Sequence, residues 1–335
     1  MSAARQTRRP PKRQVNGVLM IDKPVGLTSN GVLGVIKRLF SADKAGHTGT
    51  LDPFATGLLP VALGEATKFS GRLIEADKTY LATMRLGVTT TTGDLEGDVT
   101  ETRAVDASTG QIARACAKFT GPIEQIPPMY SALKRDGKPL YEYARAGIEI
   151  ERSARSVTIH SIDLVAHQAD HHADHQANHQ AGHQANRQAD HQAHDVVFRV
   201  ACSKGTYIRT LAEDIGRELD CGAHLIALRR ERTGGFGLEK ALTLDAIEAL
   251  AFEARDALLL PVDTLITDLP RIDCSAADAA RLRLGQKLSM HSLGVSAEGL
   301  YRVYDEAAAL TGLVQAISGA LKPERLVAQG SPAST

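Results

Sequence analysis

The stretch AGHTGTLDPFATGLLP, residues 45–60, holds three glycines, three threonines and two prolines around a single carboxylate, Asp52. Glycine permits positive φ and proline fixes its own φ, so this composition predicts a loop held in an unusual conformation. Pro53 biases Asp52 towards extended backbone and makes it a poor candidate for a helix interior. An isolated Asp-Pro pair is most often a turn with a solvated carboxylate. Here His47, upstream in the same stretch, and the apolar run at 58–63, which could anchor the loop on a core, favour a specialised loop.

On both sides of this loop, the spacing of apolar residues predicts a mixture of helices and strands. The helical spacing of Val32, Ile36 and Leu39 predicts a core-facing helix, with Ser29 as its candidate N-cap. Residues 89–100, rich in Thr, Gly and Asp, are typical of a surface loop. Helices are predicted over 28–40, 64–75, 112–119, 141–145 and 208–219, and strands over 17–22, 78–87, 156–166 and 195–201.

One aromatic residue lies at the start of a predicted strand. Strict alternation along residues 78–87 puts Tyr80 on the inward face, together with every second residue up to Leu86. A buried tyrosine near a strand start is usually a packed ring with a satisfied hydroxyl. From the strand period alone, core packing is therefore the expected role of Tyr80.

Length and composition are those of an ordinary folded protein. The chain has 335 residues, of which 43% are hydrophobic, enough for one large domain and one small domain. No apolar run approaches a membrane span and no signal-peptide segment is apparent, so a cytoplasmic protein without a membrane partner is expected. The four cysteines have no CxxC spacing, which predicts free thiols rather than disulfides or a thiolate zinc site.

Charge is balanced over the whole chain but not along it. The 39 basic and 39 acidic residues give a formal net charge of zero, which neither demands nor excludes a nucleic-acid partner. Residues 1–21 carry five basic residues and no acid, a pattern that attracts phosphate groups. Disordered tails are expected at residues 1–15, where this positive charge lies, and at 329–335.

Residues 167–194 form a low-complexity insertion. Seven tetrapeptides of the HQAD type follow one another there and hold eight of the twelve histidines. Histidines spaced by four could line one face of a helix and bind zinc, copper or nickel. We favour a disordered insertion at the tip of a hairpin, because lengthening a loop adds only logarithmically to its closure entropy. The alternating segments on both sides fit such a hairpin.

A second cluster is CSKGTYIRTLAEDIG, residues 202–216, where a strand leads into a helix. Arg209 falls in the first turn of that helix. The helix dipole disfavours a cation there, so Arg209 is better placed if it pairs with an anion. A solvated surface arginine is the alternative. The segment CGAHLIALRRERTGGF, residues 221–236, follows and adds further basic residues.

Taken together, these segments resemble one protein family. GHTGTLDPFATGLLP, Lys23-Pro24, Lys78-Thr79-Tyr80, QIPPMYSALK, CSKGTYIR and CGAHLIALRR occur in the order found in the TruB family of bacterial tRNA pseudouridine-55 synthases. The resemblance implies an α+β fold: a pseudouridine-synthase catalytic domain at 16–265 with a mixed, mostly antiparallel sheet, then a small PUA-like RNA-binding β domain at 266–328. The second domain matches the family pattern only loosely, and RTGGF at 232–236 only approximates the usual turn.

The resemblance also implies a chemistry. Uridine becomes pseudouridine when the base leaves its sugar through N1 and rejoins through C5, without gain or loss of atoms, so no cofactor or metal is expected. Asp52 corresponds to the catalytic carboxylate, acting on C1′ directly or as a base that generates a glycal. Arg209 corresponds to the arginine that pairs with this acid. Tyr80 corresponds to the tyrosine that stacks on the target base, which replaces the packing role argued from the strand alone.

The same correspondence supplies the RNA-binding residues. The target uridine of the tRNA T loop must be flipped out, and His47 matches the histidine that enters the T loop. Tyr207 and Leu228 match residues that line the uracil pocket, and Lys23, Lys68 and Lys204 are candidates for phosphate or loop contacts. A monomer without an obligatory protein partner is expected. Two non-enzymatic alternatives are an RNA-folding protein that binds the tRNA elbow, and a metal-storage protein built around the histidine repeat.

Overall fold

The computed structural model describes residues 11–168 and 194–328 of a chain that divides into two compact units. Unit 1 comprises the described parts of Met1–Pro53, Gly57–Glu75 and Gly237–Thr335. Unit 2 comprises Phe54–Thr56 and the described parts of Ala76–Phe236. The catalytic domain predicted at 16–265 therefore contributes segments to both units.

The first part of unit 1 is a small sheet covered by a helix. Its elements are β1 (Gly17–Lys23), α1 (Ser29–Leu39), β2 (Ala45–His47), β3 (Thr56–Leu63), a 3₁₀ helix at Gly64–Lys68 and α2 (Ser70–Glu75). Strand β3 pairs antiparallel with both β1 and β2. Apolar residues of β1 and β3 pack against Val32 and Ile36 of α1, the face predicted from helical spacing.

Two local predictions in this part differ from the structure. The N-cap of α1 is Thr28, whose side chain accepts a hydrogen bond from the Gly31 backbone N–H, and Ser29 lies one residue inside the helix. Residues 64–75 do not form one helix, because the 3₁₀ helix at Gly64–Lys68 ends at Phe69, whose backbone N–H donates to the Ala66 carbonyl three residues back. The short α2 begins at the next residue, Ser70.

Unit 2 is built on an antiparallel sheet. Its strands are β4 (Lys78–Leu86), β5 (Val88–Thr90), β6 (Val99–Thr102), β7 (Gly121–Gln125), β8 (Lys134–Arg135), β9 (Lys138–Pro139), β10 (Arg155–Gln168), β11 (His194–Cys202), β12 (Ala223–Thr233) and β13 (Phe236–Gly237), the last of which ends in unit 1. Its helices are α3 (Thr109–Lys118), α4 (Leu140–Arg145) and α5 (Ile208–Glu218). The principal strands follow the order β12-β4-β11-β10-β7, and all these pairs are antiparallel.

The strand alternation predicted for β4 is confirmed. Buried and half-buried residues alternate along the whole strand, with Tyr80 and Met84 on the buried side. The surface loop predicted at 89–100 is wrong in part. It is a small hairpin of β5 and β6 whose connection carries Asp94, only 3% exposed.

The predicted hairpin around the histidine-rich insertion is confirmed at its base, because β10 and β11 pair antiparallel. The first two and the last residue of the predicted insertion belong to these strands. Residues 169–193 lie outside the described part of the chain, as do 1–10 and 329–335.

The C-terminal part of unit 1 holds the second, smaller sheet. Its elements are α6 (Leu244–Glu248), β14 (Arg271–Asp273), α7 (Ala276–Arg283), β15 (Leu288–Ser289), β16 (Gly299–Tyr304), β17 (Leu310–Ile317) and β18 (Ala320–Leu326), with 3₁₀ helices at Leu238–Lys240, Phe252–Leu258, Val262–Ile266 and His291–Leu293. The strand order is β14-β16-β17-β18-β15, with only the β14–β16 pair parallel. A separate apolar core under α7 supports the small β domain predicted here.

Ordered structure begins before residue 16, within the predicted basic tail. Both terminal nitrogens of the Arg13 guanidinium donate to the Asp256 carboxylate, and Arg13 also stacks over the Phe252 ring. Val15 is buried in the core of unit 1. All four cysteines are buried, unpaired thiols. Across the described ranges, no helix combines the length and apolar character that a membrane crossing requires.

Candidate active site

The loop that carries Asp52 is held by hydrogen bonds on both sides of the carboxylate. On one side the Leu51 backbone N–H donates to the Ser29 hydroxyl at 2.8 Å, and that hydroxyl donates to the Leu51 carbonyl at 3.1 Å. On the other side the Pro53 carbonyl accepts from the Gly26 backbone N–H at 2.8 Å. Asp52 itself is half-buried. The backbone bearing the acid is therefore fixed on both sides.

Lys23 also holds this loop. Its side chain is fully buried, and its Nζ donates to the carbonyls of Pro24 at 2.9 Å and Pro53 at 3.2 Å. A buried ammonium needs such acceptors to offset its desolvation. The structure therefore places Lys23 in contact with the Asp52 loop.

His47 lies at the end of β2, five residues before Asp52. The β2–β3 pairing places it opposite Val61, and its ring is half-buried. The Gly49 backbone N–H donates to its Nδ1 at 3.4 Å. In this contact Nδ1 is the acceptor nitrogen of the ring.

We expect Ser29→Ala to slow catalysis more than its effect on stability explains. It leaves the buried backbone N–H and carbonyl of Leu51 without this hydroxyl, a loss of about 1–3 kcal/mol in unfolding free energy. Thr28→Ala is the matched control, because it removes the N-cap of the same helix at a comparable cost of about 1 kcal/mol without touching the loop. Chemical denaturation measures the unfolding free energy of both variants, and single-turnover kinetics measures their catalytic rates. Equal rates in the two would contradict a positioning role for Ser29.

Arg209 lies in the first turn of α5, in unit 2, and is 4% exposed. Its Nη1 is 3.2 Å from Oδ2 of Asp94 and donates to the Thr92 carbonyl at 2.9 Å, and its Nη2 donates to the Tyr130 carbonyl at 2.6 Å. The solvated surface arginine considered above is therefore wrong. The anion that the helix dipole argument calls for is present in Asp94.

Asp94 is itself held in place. Its Oδ1 accepts from the Thr92 hydroxyl at 2.6 Å and from the Glu96 backbone N–H at 3.0 Å, which leaves Oδ2 to face Arg209. The two carboxylate oxygens thus make different contacts. Oδ1 accepts the hydrogen bonds that close the turn of the β5–β6 hairpin, and Oδ2 pairs with the Arg209 guanidinium.

Tyr207 precedes α5, and a buried side-chain amide makes hydrogen bonds to both its backbone N–H and its carbonyl. The Tyr207 N–H donates to Oε1 of Gln125 at 3.0 Å, and Nε2 of Gln125 donates to the Tyr207 carbonyl at 3.2 Å. Because one bond needs an acceptor and the other a donor, the amide has a single orientation. Gln125 is 2% exposed and fixes where Tyr207 enters the helix.

Tyr80 and Leu228 lie on the neighbouring strands β4 and β12. In their register Tyr80 faces Arg230 and Leu228 faces Ala82, so both side chains project from the same face of the sheet. Tyr80 is 9% exposed and Leu228 is also buried. The sheet of unit 2 therefore brings these two predicted pocket residues together.

Lys78 shares the buried side of β4 with Tyr80. Burial and, after it, the neighbouring Arg230 guanidinium together lower the pKa of its ammonium to about 8. Its Nζ donates to the Ala76 carbonyl. A buried charge next to a second cation destabilises the folded state.

We expect the unfolding free energy of the protein to rise between pH 8 and 10.5, relative to that of Lys78→Met. In this range the unfolded Lys78, with its ordinary pKa of 10.5, still binds a proton that the folded residue has released, so stability increases with pH. Below pH 8 the difference between the two proteins is constant. Urea denaturation at a series of pH values measures it, and Lys138→Met, at an exposed position, is the control. A difference independent of pH would contradict the lowered pKa.

The two remaining predicted lysines are placed differently. Lys204 is exposed in the turn between β11 and α5. Lys68 is half-buried, and its Nζ donates to Glu65 at 2.7 Å and to the Leu326 carbonyl at 2.8 Å. Burial acts to raise the pKa of Glu65, but hydrogen bonds from Lys68 and the Ala328 backbone N–H bring it below its usual value. Lys68 thus links the end of the C-terminal sheet to the segment after β3.

Sequence reasoning misses three residues that hold the predicted site residues in place. It predicts Ser29 as a helix cap and Asp94 as part of a polar surface loop, and it gives Gln125 no role. Only the stretch of Thr and Gly around Asp94 offered a signal, because such residues allow a tight turn to form around one carboxylate. The other two act through backbone groups that no local pattern identifies.

Unit 1 provides a carboxylate on a fixed loop, and unit 2, described by itself, provides a buried arginine, a buried tyrosine and a buried leucine. A carboxylate can trap or deprotonate a sugar carbon, and buried aromatic rings can stack on a base. Among the described residues, no group of three or more His, Cys, Asp or Glu side chains is arranged to hold a metal ion.

Family models match almost all of the chain after residue 36. The TruB family pseudouridylate synthase N-terminal domain matches residues 37–208, the tRNA pseudouridylate synthase B C-terminal domain matches 209–267, and the pseudouridine synthase II TruB C-terminal model matches 270–327. These matches include Asp52, Tyr80 and Arg209. The resemblance argued from six motifs is therefore confirmed.

Similarity to named relatives and to solved structures agrees with the family models. The chain is 52% identical over 324 residues to tRNA pseudouridine synthase B of Burkholderia mallei, covering 96% of this chain and 99% of the relative. It is 51% identical to the protein of the same name from Cupriavidus metallidurans, covering 97% and 98%. A crystal structure of a Cbf5-Nop10-Gar1 complex contains a chain with TM-score 0.64 and 27% identity, covering 92% of this chain and 84% of that one. The predicted fold class is thus confirmed, and the chain belongs to the TruB family of pseudouridylate synthases.

Proposed function

We propose that this protein isomerises a uridine of the tRNA T loop, at position 55, to pseudouridine. The observation that carries the proposal is the backbone clamp on the Asp52 loop, in which Ser29 bonds both backbone groups of Leu51 and the Pro53 carbonyl accepts from Gly26 and Lys23. A carboxylate that must meet one sugar carbon gains from a fixed backbone, because small misplacements are costly in rate. The high identity to named tRNA pseudouridine synthases supports the same reaction.

Asp52 acts on the ribose. As a nucleophile it bonds to C1′ while the C1′–N1 bond breaks and its electron pair goes to the uracil; as a base it removes a sugar proton as the same bond breaks. The detached uracil then turns and its C5 joins C1′: on the first route C5 displaces the carboxylate from C1′, and on the second the acid returns the proton to the sugar carbon from which it was taken. On both routes the proton then leaves C5 and N1 gains one. Both begin from an ionised carboxylate. Atoms balance without an external reactant, so the reaction proceeds without a cofactor.

Arg209 is the cation that keeps Asp52 ionised and oriented, and Tyr80 stacks on the target base. The burial of Arg209 and its fixed partners Asp94, Thr92 and Tyr130 support a positioned guanidinium. An opposite charge nearby favours the ionised form of an acid. Tyr80 is positioned by strand pairing on both sides, opposite Val200 and Arg230.

RNA recognition requires the uridine to be flipped out of the T loop, at an unstacking cost of roughly a few kcal/mol. His47 enters the space that the base leaves, and Tyr207 and Leu228 line the pocket that receives it. Lys204 is exposed and contacts phosphate, and Lys68 reaches phosphate by leaving its present partners. Lys23 holds the Asp52 loop through the Pro53 carbonyl. The C-terminal sheet is a PUA-like RNA-binding domain.

The protein works on tRNA in the cytoplasm, as a monomer, without an obligatory protein partner. The name of its relatives, tRNA pseudouridine synthase B, supports tRNA as the substrate. Light scattering of the purified protein alone and with one equivalent of tRNA tests the stoichiometry. A stable dimer in the tRNA complex would contradict it.

The direct test is to incubate the purified protein with a T-arm transcript, without cofactor or added metal, and map pseudouridine by adduct formation and primer extension. We expect one modified position, absent when the target uridine is replaced by cytidine. Tight binding without any modification would favour the alternative, an RNA-folding protein without catalytic activity. The presence of Asp52 on a clamped loop favours the enzyme.

A further inference from the structure

Two histidines, the first and last residues of the predicted insertion, lie together at the open end of the β10–β11 hairpin, and neither is among the residues assigned to pseudouridine formation. His167 is the penultimate residue of β10, and His194 is the first residue of β11. In the hairpin register His167 pairs with Val196, and His194 lies two residues from Val196 on the same strand. His167 and His194 therefore project from the same face as diagonal neighbours. Their ring centroids are 6.0 Å apart, with an interplanar angle of 30°.

Each ring has one buried nitrogen for which the described residues offer no hydrogen-bond partner: Nε2 of His167 and Nδ1 of His194. Leaving a buried polar atom without a hydrogen-bond partner destabilises the folded state. A neutral imidazole carries one lone pair on a ring nitrogen, and a metal ion can accept a lone pair from each of two rings.

The other nitrogen of His167 is already engaged. Its Nδ1 lies 3.0 Å from the hydroxyl of Thr109, the first residue of α3. When Nδ1–H donates to this hydroxyl, the lone pair of the ring is on Nε2, the nitrogen that lacks a partner. Metal-binding histidines are commonly oriented by such a bond on the opposite nitrogen.

The surrounding charges suit neutral rings. Neutral imidazole is the form that binds metal. The adjacent Asp195 is already neutralised, because both of its carboxylate oxygens accept hydrogen bonds from Arg85.

We propose that His167 and His194 form a two-histidine site for a divalent first-row transition metal ion of the Zn²⁺, Ni²⁺ and Cu²⁺ group. Nε2 of His167 and Nδ1 of His194 are the protein ligands, and water completes the coordination. Thr109 is a positioning residue. The site is independent of Asp52 and of pseudouridine formation, for which no metal is needed, so the proposed function can fail without affecting it.

The test uses the full chain in a background that removes competing imidazoles. The six other histidines between the two strands are replaced by Asn: His171, His172, His175, His179, His183 and His191. Zn²⁺ is titrated against a chromophoric chelator. We expect one saturable site, weakened roughly tenfold or more by His167→Asn or His194→Asn, because each removes one of two nitrogen ligands. His160→Asn is the matched control on the same strand, where His160 is exposed and contacts Asp77.

Thr109→Val gives a second readout. Loss of an outer-shell partner weakens metal binding by roughly 10–100-fold, while the melting temperature without metal should be little changed. In the same background protein, Zn²⁺ should slow amide exchange in β10 and β11, and His167→Asn should abolish this effect. No saturable Zn²⁺ binding in the background protein, or binding unaffected by His167→Asn, would overturn the proposal.

Discussion

Replacing Asp52 by Asn is expected to abolish pseudouridine formation while tRNA binding persists. The amide cannot act as a nucleophile or as a base towards the sugar, so we expect the rate to fall by at least about a thousandfold, about 4 kcal/mol of transition-state stabilisation. The change is isosteric, and the backbone bonds of Leu51 and Pro53 that shape the loop do not involve the Asp52 side chain. Single-turnover rates on a T-arm transcript and filter binding measure the two properties separately.

Asp43→Asn is the matched control. Asp43 is an exposed carboxylate shortly before the same loop, so its replacement changes the net charge by the same amount at a nearby position. We expect its rate and affinity to equal those of the unaltered protein. If Asp52→Asn retained modification activity, the assignment of the catalytic acid would be wrong. If it lost tRNA binding as well, a role in binding rather than chemistry would have to be considered for this carboxylate.

Much of the fold follows from patterns within short segments. The alternation in β4, the helical face of α1 and the hairpin around the histidine repeat all agree with the structure, because each depends on burial of one face of one element. The N-cap of α1 differs by a single residue. Thr28 and Ser29 are both good caps in isolation, and the deciding contact is the tertiary bond from Ser29 to Leu51.

The residues that orient the site could not be predicted in this way. Asp94 lies in a segment whose composition is that of a solvated loop, and its burial depends on Arg209, more than one hundred positions away in sequence. Gln125 acts on the backbone of Tyr207, also distant along the chain. Local periodicity carries no information about such pairs. The motif residues themselves were identified by family resemblance, and the functions assigned to them remain predictions.

The buried pair of Asp94 and Arg209 leads to the second large effect. Asp94→Asn keeps a carbonyl oxygen for the Thr92 hydroxyl and the Glu96 N–H, but turns an amide NH₂ towards the Arg209 guanidinium. A donor then faces a donor, and the guanidinium loses its ion pair with Asp94. Breaking a buried ion pair by removing one partner costs about 3–5 kcal/mol, so we expect a loss of unfolding free energy of this size. Urea denaturation measures it.

The rate of catalysis should also fall, because a guanidinium that has lost Asp94 can move away from the carbonyls of Thr92 and Tyr130. We expect the single-turnover rate of Asp94→Asn to fall by roughly a hundredfold with little change in tRNA affinity, since misplacement of a catalytic group acts on the chemical step. Asp98→Asn, an exposed position in the same hairpin, should leave both rate and stability unchanged. A double-mutant cycle with Arg209→Met separates the pair from its surroundings. If the stability losses of the two single variants simply added in the double variant, Asp94 would act independently of Arg209, and its role in positioning the guanidinium would have to be abandoned.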